Sequence, residues 1–405
     1  MYTVVSGQTK KLSAYLTFSK IISILFLLLG AAFIALTYGW RQGLLLLVGG
    51  ALGITLYHAA FGFTSAWRVF IRDRRGRGLR VQMLMLAIAV CLFFPTLAGG
   101  SFFGNPVVGI SAPLSLAVII GAFMFGIGMQ LGGGCASGVL FTAGGGSARM
   151  LVVLFFFVLG ALISTAHAPF WNAVPALKAV SLLTSFGLWA GMTISLALFA
   201  IISLLTLWVE KRKYGTVEKE KPSNSHGFLR FLRGPWPLIW GAIALALLNY
   251  VTLIVSGRPW TVAGAFPIWG AKIATMLGVD VGSWAFWQNP SNAKKLTSSI
   301  FTNVQTVMDF GIIVGAMLAA TLAGRFKPTL KMSFGSFCAA IIGGLLLGYG
   351  ARIAYGCNIG AYFSGIASGS LHGWLWLIAA FFGNIVGVYA RPLFGLEAKA
   401  VAQSC

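Results

Sequence analysis

Two cysteines in glycine-rich stretches are the residues of this chain whose types and spacing best fit chemistry. Cys135 lies in residues 126–138 (GIGMQLGGGCASG), and Cys357 lies in residues 348–360 (GYGARIAYGCNIG). The two stretches align without a gap at an offset of 222 residues, and six of the sixteen positions from 126–141 match those from 348–363. Shared glycines are expected in a chain that has 52 of them, but it has only five cysteines, so a cysteine in register indicates a repeated module.

The chemistry that these stretches favour is the handling of a soft anion. A thiol is a weak hydrogen-bond donor and a polarisable group, which suits a sulfur-containing anion better than a hard oxyanion or a sugar. The preceding glycines, Gly134 and Gly356, permit unusual backbone angles. A helix that begins just after each cysteine would point free N–H groups and its positive end at an anion and would favour thiolate character. Close helix packing explains such glycines equally well.

Position 352 and its counterpart, position 130, are further candidates for substrate binding. Arg352 precedes Cys357 by five residues, and Gln130 is its equivalent in the first module. An arginine inside a membrane is costly and usually functional, so Arg352 could attract the anion. A structural charge, either snorkelling to the membrane interface or paired with Asp309, is an equal alternative. Asp309 is also a candidate proton-coupling group, on which the sequence alone does not decide.

The remaining chemistry-bearing residues favour structural roles. Cys91 and Cys338 lie in plain apolar runs, where cysteine is commonly an inert small hydrophobe. We find no metal-ligand spacing, phosphate loop or nucleophile–base arrangement in the sequence. We therefore predict no metal, no cofactor and no enzymatic activity.

The elements that position these residues are predicted to be membrane helices. Of the 405 residues, 58% are apolar and 9% are charged, and the mean hydropathy is +0.88. We predict an all-α polytopic membrane protein in a lipid bilayer, with about nine spanning helices, short re-entrant helices and two inverted repeats. The net charge of +22 lies mainly in short loops. This is typical of cytoplasmic loops rather than of a nucleic-acid partner.

The charge pattern also predicts the domain organisation. Residues 1–208 form the first membrane repeat, 209–235 a polar cytoplasmic linker, and 236–405 the second repeat. Placing the basic stretches 68–80, 210–233 and 325–331 in the cytoplasm gives the two cysteine modules opposite orientations. Inverted repeats of this kind place a substrate site at their interface, near the middle of the bilayer.

Residues 125–138 (FGIGMQLGGGCASG) and 348–366 (GYGARIAYGCNIGAYFSGI) resemble the YeeE/YedE family of multi-pass transporters of the bacterial inner membrane. The resemblance implies uptake of thiosulfate or a related sulfur compound, held through S–H contacts at Cys135 and Cys357. The family usually has an earlier cysteine, in a pattern like Arg-Phe-Cys followed later by Arg. The corresponding stretch here, residues 60–68 (AFGFTSAWR), has Gly62 at that place.

Three alternatives remain open from the sequence. The stretch that follows Cys357 is similar to the branch of the family associated with selenium metabolism, so a selenium compound is an alternative substrate. A membrane thiol–disulfide oxidoreductase would need the Cα atoms of the two cysteines within about 7 Å of each other. A membrane anchor for a cytoplasmic sulfur-carrier protein would use the basic loops.

Overall fold

The computed structural model of this protein describes residues 2–218 and 227–396. Residues 219–226 of the expected linker and residues 397–405 of the expected second repeat lie outside the described residues. The helices are, in chain order, α1 Tyr2–Tyr38, α2 Trp40–His58, α3 Phe63–Asp73, α4 Arg77–Ala98, α5 Leu116–Gly132, α6 Ala136–Gly144, α7 Ala148–Ala166, α8 Ala168–Ala173, α9 Leu182–Tyr214, α10 Gly227–Arg233, α11 Leu238–Ser256, α12 Phe266–Met276, α13 Ala285–Gln288, α14 Pro290–Thr297, α15 Val304–Leu322, α16 Phe334–Ile353, α17 Gly365–Ala367 and α18 Leu371–Ala390.

The irregular elements are short. A π-helix spans Asn358–Ser364, and 3₁₀ turns span Val281–Ser283, Ile300–Thr302 and Arg391–Phe394. Four two-residue strands form two antiparallel pairs: β1 Ser101–Phe102 with β2 Asn105–Pro106, and β3 Leu114–Ser115 with β4 Ala176–Leu177. These pairs lie in the loops and leave the architecture helical.

Ten helices or helix pairs within the described residues are long and apolar enough to cross a membrane. This confirms the predicted all-α polytopic membrane protein, with one span more than the approximate nine. Some of the ten spans are pairs of joined helices, since α2 continues into α3 and α5 continues into α6. The lipid-facing helices are also recognisable, because α1 and α9 expose many large apolar side chains.

The helices that carry the cysteine modules pack directly against each other. α5 packs against both α16 and α18, and α16 packs against α7. Glycine permits close approaches at these crossings: a Cβ at Gly128 of α5 would lie 2.8 Å from the amide nitrogen of Leu347 on α16. Small residues at such crossings are typical of membrane helix pairs. The core of the molecule is therefore built around the elements that precede Cys135 and Cys357.

The two modules also have the same order of elements. Cys135 stands between α5 and α7, with the short helix α6 after it, and Cys357 stands between α16 and α18, with the π-helix after it. The start of α18 follows the start of α7 by nearly the same offset that separates the cysteines. This is the arrangement expected of a repeat.

A buried ion-pair cluster fastens the end of α9 to the connection between α3 and α4. Glu210 accepts hydrogen bonds from the guanidinium groups of Arg75 (3.2 Å) and Arg80 (2.8 Å) and from the backbone N–H of Gly76 (3.2 Å). The Arg75 guanidinium also lies 3.6 Å above the ring centre of Tyr214. Part of the predicted cytoplasmic basic stretch is thus paired within the protein.

Candidate functional site

Cys135 lies at the break between α5 and α6. Gly133 ends α5 with φ +84°, a left-handed conformation that favours glycine because it has no Cβ. The backbone is extended at Cys135, and the first hydrogen bond of α6 runs from the N–H of Val139 to the Cys135 carbonyl at 2.8 Å. The amides at the start of α6 therefore have no acceptor in their own helix. The Gly138 N–H faces the Cys135 sulfur without completing a capping hydrogen bond.

Cys357 has the same relation to the π-helix. Gly356, with φ +153°, leads into an extended Cys357, and the π-helix begins at the next residue. Backbone amides of Ile359, Gly360 and Ala263 face the Cys357 sulfur, again without a capping hydrogen bond. The Trp376 indole donates to the Gly356 carbonyl at 3.1 Å, which fixes the turn before the cysteine.

The two thiols lie on elements that pack against each other. α6 packs against the π-helix, and the Cys135 and Cys357 side chains, each almost fully buried, interact electrostatically. All four cysteines of the described residues, the other two being Cys91 and Cys338, are free thiols. The structure thus places two reduced thiols, each at the amide-rich start of a short helix, in the same part of the core.

A cavity of about 600 Å³ opens beside Cys135, and we call it the Cys135 cavity. The turn before α6 forms one wall with Gly133, Gly134 and Cys135, and the opposite wall comes from the connection between α2 and α3. Its other lining residues are Tyr57, His58, Ala60, Gly62, Phe63, Thr64, Ser65, Gly138, Phe141, Thr142, Pro235 and Arg325. Gly62, where the YeeE/YedE pattern has a thiol, therefore lies in the same cavity as Cys135.

A second cavity of about 410 Å³ is rich in cationic side chains, and we call it the basic cavity. Arg258, Lys295 and Arg352 line it, and none of its lining residues is acidic. The Arg352 guanidinium lies 4.3 Å from the ring centre of Phe286. Burial lowers the pKa of the Lys295 ammonium, and the charges of Arg352 and Arg258 lower it further. With no acidic side chain among the lining residues, these mutually repelling cations give the cavity a positive potential that would attract an anion.

The loop between α11 and α12 connects the basic cavity to Cys357. Trp260, Thr261 and Gly264 line the cavity, while the amide of Ala263 faces the Cys357 sulfur. Asn249 fixes this loop, because its side chain accepts from the Trp260 N–H (2.9 Å) and donates to the Ser364 hydroxyl (3.1 Å). Cys357 consequently lies directly behind the wall of the basic cavity.

The other residues singled out from the sequence take different positions. Gln130 is fully buried and donates to Asn384 Oδ1 (2.6 Å) and to the Thr64 carbonyl (3.2 Å), and it is not among the lining residues of either cavity. Arg352 does not pair with Asp309, whose carboxylate oxygens have no hydrogen-bond partner among the described residues. Gly134 lines the Cys135 cavity, whereas Gly356 acts through its backbone.

Sequence reasoning missed Arg258 and Lys295 as members of the site. Both belong to residues 256–299, an irregular segment without a periodic pattern. The sequence did contain a signal for these two residues: they lie far from the basic stretches assigned to the cytoplasm, so loop charge does not explain them. Within the described residues no group of His, Cys, Asp and Glu side chains could hold a metal ion.

The chain is similar to known transporters over most of its length. The family model for sulphur transport matches residues 58–386. A thiosulfate transporter, TsuA, of Spirochaeta thermophila is 31% identical over 354 residues, which is 84% of this chain and 96% of that protein. The TsuA thiosulfate transporter of Escherichia coli is 24% identical over 86% of this chain and 94% of its own length. The probable transporter YedE of Escherichia coli is 32% identical over 40% of each chain.

The extent of the family match covers both cysteine modules and both cavities, and the relative from Spirochaeta thermophila matches almost from end to end. This chain therefore belongs to the sulphur transport family.

Proposed function

We propose that this protein is a membrane transporter for the uptake of thiosulfate or a related small sulfur-containing anion. The anion enters the basic cavity, passes Cys357 and then Cys135, and leaves through the Cys135 cavity. The observation that carries the proposal is the position of two free thiols, on elements that pack against each other, between these two cavities. The names of the TsuA relatives support thiosulfate as the substrate.

The direction of transport follows from the charges of the loops. The Cys135 cavity is lined by Pro235 and Arg325, which adjoin the basic stretches 210–233 and 325–331. Such stretches favour the cytoplasm. The basic cavity lies at the other ends of the helices, next to the end of α11 and the start of α15. The basic cavity therefore faces outward. The same placement of the basic loops gives the two repeats opposite orientations in the membrane. The bacterial inner membrane is the proposed location.

The two thiols and the amides around them match the two ends of thiosulfate. A terminal sulfur suits the soft thiol, and sulfonate oxygens suit the N–H groups at the starts of α6 and the π-helix. Because Gly62 contributes no thiol to the Cys135 cavity, only Cys357 and Cys135 take part. A selenium analogue remains the alternative substrate, since the same groups would hold it.

A thiol–disulfide exchange function is the less favoured alternative. It requires Cys135 and Cys357 to alternate between thiols and a disulfide. Both are free in the structure. A cytoplasmic sulfur-carrier protein, docking by charge on the basic loops, is a proposed partner that salt-sensitive binding would test.

The decisive experiment measures uptake of radiolabelled thiosulfate by cells that express Cys135→Ala or Cys357→Ala. We expect each variant to lose most uptake at equal membrane expression. Cys338→Ala is the matched control, because Cys338 lies on α16 outside the residues that line either cavity, and we expect it to retain uptake. Undiminished uptake by both Cys135→Ala and Cys357→Ala would refute passage along the thiols. Equal competition by unlabelled selenium analogues would extend the substrate class to selenium compounds.

A further inference from the structure

A buried acid lies on a helix that lines the proposed path and has no role in that path so far. Asp309 is fully buried in the second turn of α15, and neither of its carboxyl oxygens has a hydrogen-bond partner among the described residues. Acids within membrane spans are costly and commonly belong to ion or proton paths. A packed structural acid would normally be paired or hydrogen-bonded. The unsatisfied carboxyl therefore points to a transient partner.

The position of Asp309 connects it to the anion path. Gln305 and Met308 on the same helix line the basic cavity, and Asp309 follows Gln305 by one helical turn, on the same face. Asp309 also interacts electrostatically with Cys357. Farther along α15, a Cβ at Gly144 of α6 would lie 3.0 Å from the backbone carbon of Ile313. The acid thus lies between the floor of the basic cavity and the elements around Cys135.

The groups that titrate or carry charge on the neighbouring elements have other contacts. Tyr38 of α1 bonds to Ser299, His58 of α2 lies against Trp236, and Arg230 of α10 donates to the Pro235 carbonyl. The remaining groups of this kind are Lys20 on α1, Arg41 and Tyr57 on α2, Cys135 before α6, Arg233 on α10 and Arg325 after α15. Asp309 interacts electrostatically with Cys357, so the charge of Asp309 responds to an anion at Cys357.

We propose that Asp309 binds a proton that accompanies the anion past Cys357, which makes the transporter an anion–proton symporter. An ionised carboxylate here would repel the anion, whereas the protonated acid removes that repulsion. By linkage, an anion at Cys357 strengthens proton binding to the same degree that the proton strengthens anion binding. The proton enters from the outward-facing basic cavity and leaves toward the cytoplasm after the anion has moved on.

This coupling also reduces the energetic cost of moving the anion against the membrane potential. An inside-negative membrane potential opposes the entry of an anion, and the opposition grows with each negative charge. The proton that Asp309 carries offsets one of the two negative charges of thiosulfate, so the membrane potential opposes the entry of one net charge instead of two. A metal cation would need several oxygen ligands, and within the described residues no group of His, Cys, Asp and Glu side chains could hold one, so a proton fits the site better than Na⁺.

The test uses the full-length protein in proteoliposomes, with the membrane potential clamped. We expect an inward proton gradient to increase uptake of labelled thiosulfate, addition of thiosulfate to acidify the interior, and a sodium gradient to have no effect. Asp309→Asn, a neutral and nearly isosteric change, should lose the acceleration by the gradient and the acidification but retain thiosulfate exchange. Asp309→Glu should retain the coupling. Asp280→Asn is the matched control, because it makes the same change at an exposed acid in a loop.

The outcomes separate this inference, which rests on the proposed function, from that function itself. Thiosulfate uptake without acidification in the wild-type protein would overturn the proton coupling and leave the transport function standing. The absence of any uptake would overturn both. Unchanged acidification with Asp309→Asn would overturn the role of Asp309. If Asp309→Asn fails to elute as a folded protein, the wild-type proton flux and Asp309→Glu decide the question.

Discussion

Replacing Arg352 with methionine should weaken capture of the anion by the basic cavity. Arg352 supplies one of three cationic side chains in that cavity, and its guanidinium lies on the ring of Phe286. Methionine keeps a flexible side chain with a favourable contact to an aromatic ring, while it removes the charge. The substitution therefore changes the electrostatics of the cavity more than its packing.

The size of the effect follows from the dimensions of the cavity. A volume of about 410 Å³ corresponds to a sphere of radius about 5 Å, which places an anion at its centre about 6 Å from the guanidinium for the Coulomb estimate. With the dielectric constant of water, one pair of charges at that distance contributes about 0.7 kcal/mol, and a dianion about 1.4 kcal/mol. The loss of 1.4 kcal/mol corresponds to about a tenfold increase in KM. A less polar cavity would give a larger increase.

The assay is the concentration dependence of labelled thiosulfate uptake at low and at high ionic strength. We expect Arg352→Met to raise KM with little change in the maximal rate, and the difference from wild type to shrink as salt screens the charge. Arg352→Lys should retain most of the affinity. The control is Arg41→Met, since Arg41 hydrogen-bonds Asn105 outside the basic cavity. An unchanged KM at low salt for Arg352→Met would refute the assignment of this cavity to anion capture.

Two further predictions concern the two cavities. The pKa of Lys295 is lowered by burial and by neighbouring arginines, so this side chain loses its charge at a lower pH than a solvated lysine does. The KM for thiosulfate should therefore rise as the medium becomes alkaline. Lys295→Arg should suppress that rise in a pH series of uptake measurements. Gly62→Cys should add a thiol to the Cys135 cavity when it is combined with Ser65→Ala, because a Cβ at Gly62 meets mainly the Ser65 hydroxyl, at 2.5 Å, and Ser65→Ala removes that hydroxyl. We expect the double variant to take up thiosulfate faster than Ser65→Ala alone. An equal rate would contradict a role for the number of thiols.

The cysteine modules illustrate how much of the local structure is encoded in short stretches. The break after α5 occurs at the glycine cluster, and a helix begins directly after each cysteine, as the sequence favours. Local backbone preference explains this agreement, because glycine adopts the conformations that end a helix and a new helix can then start. The second helix is a π-helix, a distinction that the sequence pattern does not carry.

Equivalent positions in the two modules nevertheless have different surroundings. Arg352 lines a cavity, whereas Gln130, its counterpart, bonds to Asn384 and to the backbone at Thr64. The two copies of the repeated helix, α5 and α16, place these positions against different neighbours. Alignment in the sequence therefore does not transfer a role from one position to the other. The alternative pairing of Arg352 with Asp309 failed for the same reason, since partners are set by packing.

The sequence by itself determined the membrane class, the helical architecture and the repeated cysteines, because composition and hydropathy are local properties that decide which segments are stable in a bilayer. Only the tertiary structure decided which groups converge. It brought Arg258 and Lys295 from an irregular segment to Arg352 and placed Gly62 in the cavity of Cys135. It also left the carboxyl of Asp309 without a hydrogen-bond partner among the described residues. These contacts join residues far apart in the chain, and close packing of the helices that carry them fixes their distances.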